Sequence, residues 1–186
     1  MARNPNARSR DMIISLAVIA IPIILIMALF TRTPEEKAEP VDLGPFLGRA
    51  VAESSYPVLT ADGLGEGWLP VRAAWAKKGQ RWITAEPALG NSWQVGYLSP
   101  DQIYYGVLQR DAAGEELIRS NTREGKEIGE PVSLAGREWV RYESKDGRTV
   151  SLVNAQGDVT TVVSADTDFT QLEAFTSTLV ENPPAG

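Results

Sequence analysis

The hydrophobic pattern of the chain begins with an apolar run that no charged residue interrupts, MIISLAVIAIPIILIMALF at 12–30. As an α-helix, a run of this length would extend about 29 Å, close to the ~30 Å hydrocarbon core of a bilayer. The run therefore predicts a transmembrane helix over 12–30. A cleaved signal peptide is the alternative, but its apolar segment has only about 7 to 15 residues and ends at a small-residue cleavage site.

Basic residues near the two ends of this run predict its orientation. The segment 1–11 contains three arginines, and fewer basic side chains follow the run directly. The more basic flank of a membrane helix stays in the cytoplasm. We therefore expect a single-pass protein of the cell membrane, with 1–11 in the cytoplasm and the C-terminal part outside it. The expected partner of 12–30 is the lipid bilayer.

Polar and proline-rich sequence separates the apolar run from the rest of the chain. Residues 31–42, TRTPEEKAEPVD, have no apolar periodicity and predict an extended stalk. Residues 43–182 have the usual length of a single domain with its own core. We expect this domain to be extracytoplasmic and to be followed by a short tail at 183–186.

The first half of this domain shows both helical and strand periods. Residues 47–55 have a helical spacing that Pro57 ends, because proline disfavours helix at the residue before it. Apolar residues then recur at every second position, which predicts strands. These strands are 69–75, 93–97 and 103–107, with a turn at Ser99, Pro100 and Asp101 between the last two.

The second half predicts a helix, an antiparallel meander and a closing helix. The helix covers 112–121, and the last helix covers 169–180, with Asp168 as its N-cap. Short turn signals separate the four strands between them: 131–134, 137–143, 149–154 and 159–164.

These elements predict an α+β domain with a mostly antiparallel sheet of about seven strands and packed helices. We favour an α/β/α sandwich of the kind found in PsbP-like proteins. A closed lipocalin-like barrel is the alternative, but the helix at 112–121 would interrupt its strands.

Composition excludes several classes of function. The chain has no histidine and no cysteine, so triads with histidine, Cys-His pairs and the usual zinc, copper and haem ligands are absent. It has 18 Lys and Arg against 24 Asp and Glu, a net charge of −6, which disfavours nucleic acid as a partner. We expect a protein that is not an enzyme, with no cofactor and no metal site.

The remaining candidates for chemistry have structural explanations. Ser144 and Lys145 are adjacent but lie in a predicted turn. Asp166 and Asp168 lack the third ligand and the following glycine of an EF-hand loop. The glycines at 63–67 are not followed by the lysine and helix of a phosphate-binding loop.

Aromatic residues form the most informative cluster, with seven of them between 68 and 105. Tyr104 and Tyr105 point to opposite faces of a strand, so one of them is expected to be exposed. Exposed aromatic side chains can stack on sugars or anchor a partner protein. We predict a candidate binding surface at Trp82 and Tyr104. The alternative, burial in the core, is favoured for Trp75, Trp93, Tyr97 and Tyr105.

Several short motifs give the chain a family resemblance. They are GW at 67–68, WQVGY at 93–97, LSP at 98–100, YYGVLQ at 104–109, GREW at 136–139 and SLV at 151–153. With the closing helix, they resemble an uncharacterised family of actinobacterial single-pass envelope proteins, domain of unknown function 4245. The resemblance implies a membrane protein with an exported domain of unassigned function. It implies no site residue.

Two functions are compatible with these features. The first is a non-catalytic interaction domain that acts as an accessory or assembly factor of a membrane or cell-wall complex, with a membrane or envelope protein as its partner. The second is a domain that binds or senses a small ligand, a lipid or a glycan. We favour the first function, because of the anchor, the stalk and the missing catalytic residues. The aromatic strands motivate the second function as the alternative.

Overall fold

The computed structural model of the chain describes residues 5–30 and 39–185. Contacts divide the chain into two units, Met1–Lys37 and Ala38–Gly186. The first unit contains helix α1, Pro5–Phe30. Most of the predicted stalk, residues 31–38, lies outside the described residues.

Helix α1 requires a correction to the predicted fold class. Within the two described ranges, no helix combines the length and the apolar character needed to cross a membrane. A span requires both properties over about 20 residues. The predicted transmembrane helix over 12–30 is therefore wrong.

The second unit combines helices with many short strands. Its helices are α2 (Gly44–Glu53), α3 (Gly114–Asn121) and α4 (Phe169–Thr176). Its strands are β1 (Val58–Ala61), β2 (Leu69–Ala76), β3 (Ser92–Leu98), β4 (Tyr104–Arg110), β5 (Lys126–Glu127), β6 (Val132–Leu134), β7 (Arg137–Glu143), β8 (Val150–Gln156), β9 (Val159–Ala165) and β10 (Leu179–Asn182).

The strands form one large antiparallel sheet and one small ribbon. The eight-stranded sheet has the order β2-β3-β4-β9-β8-β7-β5, and β6 also pairs with β7. The mostly antiparallel sheet agrees with the sequence, and β6 to β9 form the predicted meander. The ribbon pairs β1 with β10 and was not expected.

The end of the chain differs from the predicted helix over 169–180. The Asp168 cap is confirmed, because the backbone N–H of Gln171 donates to Asp168 Oδ1 at 2.9 Å. However, α4 ends at Thr176, and Leu179 then pairs with Ala61 in the ribbon. Pairing with a distant strand thus replaces the last helical turn.

The larger hydrophobic core lies on one face of the sheet. Trp93 and Trp139 are fully buried there. Ala50 of α2, Leu172 of α4 and Leu59 of β1 belong to the same core. Helices α2 and α4 thus share this layer with the strand ribbon, which the sequence did not predict.

The opposite face of the sheet, which we call the α3 face, has a smaller core. Leu117 of α3 packs here with Val153 and Val162. Helix and sheet approach closely at Gly114, where a Cβ atom would lie 2.3 Å from Thr160 Oγ1. A larger residue here would require the Thr160 side chain or the helix to shift.

A buried glutamine joins the ribbon to the sheet. Gln109 Oε1 accepts a hydrogen bond from the N–H of Leu59 at 2.7 Å. Its Nε2 donates to the carbonyl oxygen of Pro57 at 3.2 Å and to Thr161 Oγ1 at 3.4 Å. Gln109 is fully buried, so water cannot replace these bonds.

We expect Gln109→Leu to lower the free energy of unfolding by roughly 2–4 kcal/mol, because it leaves a buried donor and a buried acceptor on β1 and its flank unpaired. Urea unfolding of the full chain measures the loss. Gln156→Leu, at an exposed glutamine, is the control and should change stability little. Equal stability of the two variants would show that Gln109 does not hold the ribbon.

Candidate functional site

The two residues of the predicted binding surface both lie on the α3 face. Trp82 is 8% exposed and packs in the smaller core with Ala76 and Ala88. Tyr104 is 38% exposed, whereas Tyr105 is 3% exposed on the other face. The opposite orientation of the two tyrosines is confirmed. The binding role of Trp82 and Tyr104 stays a prediction.

Trp82 is held by a folded loop between β2 and β3. The N–H of Trp82 donates to the carbonyl oxygen of Glu86, and the N–H of Ala85 donates back to Trp82, both within 2.9 Å. Further along the loop, the N–H groups of Gly79 and Ala88 donate across it at 2.8 Å. These bonds turn the loop back on itself and place the indole over the sheet.

The aromatic ring of Tyr104 lies against two glycines of the sheet. A Cβ atom at Gly96 would lie 2.1 Å from Tyr104 Oη, and one at Gly106 would lie 3.1 Å from Tyr104 Cε1. Gly96 and Gly106 are direct partners across β3 and β4. The two glycines therefore make the flat surface on which the ring rests.

Two adjoining cavities form a groove beside α3. One has a volume of about 660 Å³ and is lined by Trp82, and the other has about 500 Å³ and is lined by Tyr104. Ser120 and Asn121, at the end of α3, line both. We call the two cavities together the α3 groove.

Three further residues line the larger cavity, and sequence reasoning missed them. They are Arg72 of β2, Gln94 of β3 and Arg110 of β4. Their strands are neighbours in the sheet. The signal was present in the period of two, which places Arg110 on the same face as Tyr104.

Two polar atoms on the α3 face, one of them in the groove, lack partners in the described chain. Gln94 Oε1 is buried and accepts no hydrogen bond there. Ser151 Oγ is also buried and unpaired, and Ser151 is the register partner of Ser164, which lines the smaller cavity. Unpaired buried polar atoms are costly and are rare in an ordinary core. The hydrogen bonds of this face are therefore less complete than those of a typical core.

Tyr104 lines the smaller cavity, and its hydroxyl interacts with two residues that line the larger one. Burial raises the pKa of Tyr104 above its ordinary value. Arg72 and Gln94 lie beside the hydroxyl and act in the opposite direction. Tyr104 is therefore neutral near pH 7 and can donate or accept a hydrogen bond.

Ser144 and Lys145, which the sequence placed in a predicted turn, form structural contacts there. Ser144 Oγ donates to Asp146 Oδ1 at 2.7 Å and accepts from the N–H of Thr149 at 3.0 Å. Lys145 pairs with Glu124. In residues 5–30 and 39–185, no three Asp or Glu side chains converge in the manner of a metal site.

We expect Trp82→Ala to lower the free energy of unfolding by about 3 kcal/mol, because it removes a large buried side chain from the smaller core. Thermal or urea unfolding measures the change. Ile83→Ala, at a neighbouring residue that is 46% exposed, is the matched control and should cost much less. A Trp82 variant as stable as the control would show that the indole contributes no packing.

We expect Gly96→Ala to lower the pKa of Tyr104 towards its ordinary value of about 10, because the added methyl group displaces the ring into solvent. Alkaline titration of the tyrosine ring resonances by NMR measures this pKa, and Tyr104→Phe identifies the resonance. Gly48→Ala, where a Cβ atom meets nothing within 4 Å, is the control. An unchanged pKa in Gly96→Ala would contradict the described position of the ring.

Comparison with known proteins agrees with the resemblance found in the sequence motifs. Residues 5–179 match the family model described as Protein of unknown function (DUF4245). No curated protein matches the chain significantly. The family match includes every residue named above as lining the α3 groove. Because it covers well over half of the chain, the protein belongs to the DUF4245 family, whose function is unknown.

Proposed function

We propose that the domain is a non-catalytic module that binds a small polar ligand in the α3 groove. The main support is the unpaired polar character of the groove. Gln94 offers a buried acceptor without a partner, and the indole of Trp82 lines the same cavity. A ligand with matching donors and acceptors would complete these hydrogen bonds.

The dimensions of the groove favour a small ligand. Pockets for small molecules usually have volumes of about 300–1,000 Å³ and combine apolar walls with a few placed polar groups. The larger cavity has about 660 Å³, with Trp82 and Leu108 as apolar surface and Arg72 and Gln94 as polar groups. This combination is typical of a recognition site.

A binding role is also favoured over catalysis by the groups that line the larger cavity. Its carboxylates, Glu86 and Glu116, are exposed, and neither side chain is positioned by a hydrogen bond within the described residues. A general base must be held within hydrogen-bond reach of the proton that it removes. Arg110, by contrast, is held by the hydrogen bond from its Nε to Ser92 Oγ, and a guanidinium is a binding group rather than a general base.

The test is retention of a small molecule by the full chain purified from its own cells under mild conditions. Ser120 is exposed and lines both cavities, so Ser120→Trp should obstruct the groove without disturbing the core. Glu115→Trp, at an exposed position of α3 that lines neither cavity, is the matched control. Extracts of the three proteins are compared by mass spectrometry.

We expect a small molecule that the wild type and Glu115→Trp retain and Ser120→Trp loses. Retention by all three proteins, or by none, contradicts the proposal. A polypeptide that crosslinks to the wild type and not to Ser120→Trp would instead favour the interaction domain of an accessory factor.

A further inference from the structure

Arg110 is a buried cation without an acidic partner. The residue is 8% exposed and lines the larger cavity of the α3 groove. Its Nε donates to Ser92 Oγ at 3.2 Å, and no other hydrogen bond of its guanidinium occurs within the described chain. None of the ion pairs among the described residues includes Arg110.

The described chain supplies no paired counter-charge to the buried guanidinium of Arg110. Burial lowers the pKa of Arg110, whereas Glu116 and Tyr56 act in the opposite direction without forming an ion pair with it. Arginine nevertheless stays protonated in proteins. Its terminal nitrogens donate to no other residue of the described chain and are free to bind water or a ligand in the adjoining cavity.

A second cation, Arg72, lines the same cavity and extends this donor set. Arg72 is exposed, and it forms no ion pair within the described residues. Gln94 lies on the strand between the two arginines. From the strand spacing and rise, the Cα atoms of Arg72 and Arg110 are roughly 16 Å apart, a separation that two long side chains can bridge through a ligand.

The carboxylates of the larger cavity do not cancel this positive charge. Glu86 and Glu116 are both exposed, so water and salt screen their charges. Arg110 is buried, where screening is weaker and a charge acts more strongly on its neighbours. Of the charged residues that line the larger cavity, Arg110 is the only buried one.

We infer that the α3 groove recognises a ligand with an anionic group, a carboxylate or a phosphate, and that Arg110 binds this group with Arg72 as a second cation. The inference rests on the proposed function and specifies the class of its ligand. Both anions present paired oxygens that match the planar fork of a guanidinium. Arg110 would then have its missing counter-charge.

Thermal unfolding of the full chain tests the inference with two simple probes, inorganic phosphate and succinate. Each is titrated at constant ionic strength against sodium chloride at pH 7. We expect at least one probe to raise the Tm of the wild type by about 3–6 °C at roughly ten times its Kd. The more effective probe identifies phosphate or carboxylate as the preferred group.

Variants assign this shift to the groove. Arg110→Met should abolish the shift and leave the Tm without probe unchanged or higher, because it removes an uncompensated buried charge. Arg72→Gln, at an exposed residue, keeps the test valid if Arg110→Met does not fold, and it should reduce the shift. Lys126→Gln is its control, since Lys126 is an exposed cation on β5 at the other edge of the sheet.

Two outcomes overturn the inference. One is the absence of a shift with either probe, and the other is an equal shift in the wild type and the arginine variants. Retention of a neutral molecule by the wild type and its loss from Ser120→Trp would support the proposed function while excluding an anionic ligand. Failure of the retention test as well would count against both.

Discussion

One short helix has to cover a whole face of a wide sheet. Helix α3 has eight residues and is therefore about 12 Å long, whereas the seven strands of the main path span about 29 Å across the sheet. The loop that carries Trp82 covers part of the remaining surface. Neither this loop nor α3 covers the strands between them. These uncovered strands form the floor of the α3 groove.

The residues on the floor of the groove are of the types expected where no other element covers a sheet. On the opposite face, where α2, α4 and the ribbon complete the layer, the strands contribute Trp93, Val95 and other apolar side chains. On the α3 face, the same strand β3 contributes Gln94 and Gly96. An ordinary core would bury hydrophobic side chains at such positions. The polar floor therefore supports a role in recognition better than a role in packing.

Local patterns in the sequence were sufficient for most of the domain. Period-two apolar residues predicted β2, β3 and β4, and the turn residues around Gly147 and Gly157 predicted the meander. The ribbon was missed because β1 and β10 have four residues each and pair across more than one hundred positions. No local signal reports such a pairing, and the sequence around Leu179 continued the helical spacing of α4.

Local sequence patterns were also insufficient for the candidate site. Trp82 and Tyr104 were found because aromatic residues are conspicuous in a sequence. Arg110 was missed because its significance depends on a missing partner, and a sequence does not show which carboxylates approach a guanidinium. The predicted membrane span was wrong although 12–30 is helical, because no helix of the described residues combines the length and the apolar character that a span needs.

The most direct measurement of the central claim is a nitrogen-15 NMR titration of the full chain with phosphate or succinate, observed at the side-chain N–H groups. The indole N–H of Trp82 and the amide of Gln94 report on the groove, and the indole of Trp93, which donates to Leu59 at 2.9 Å, reports on the opposite face. The account predicts saturable shifts at Trp82 and Gln94 and none at Trp93. Shifts of equal size at all three positions, or at none, would contradict a binding site in the α3 groove.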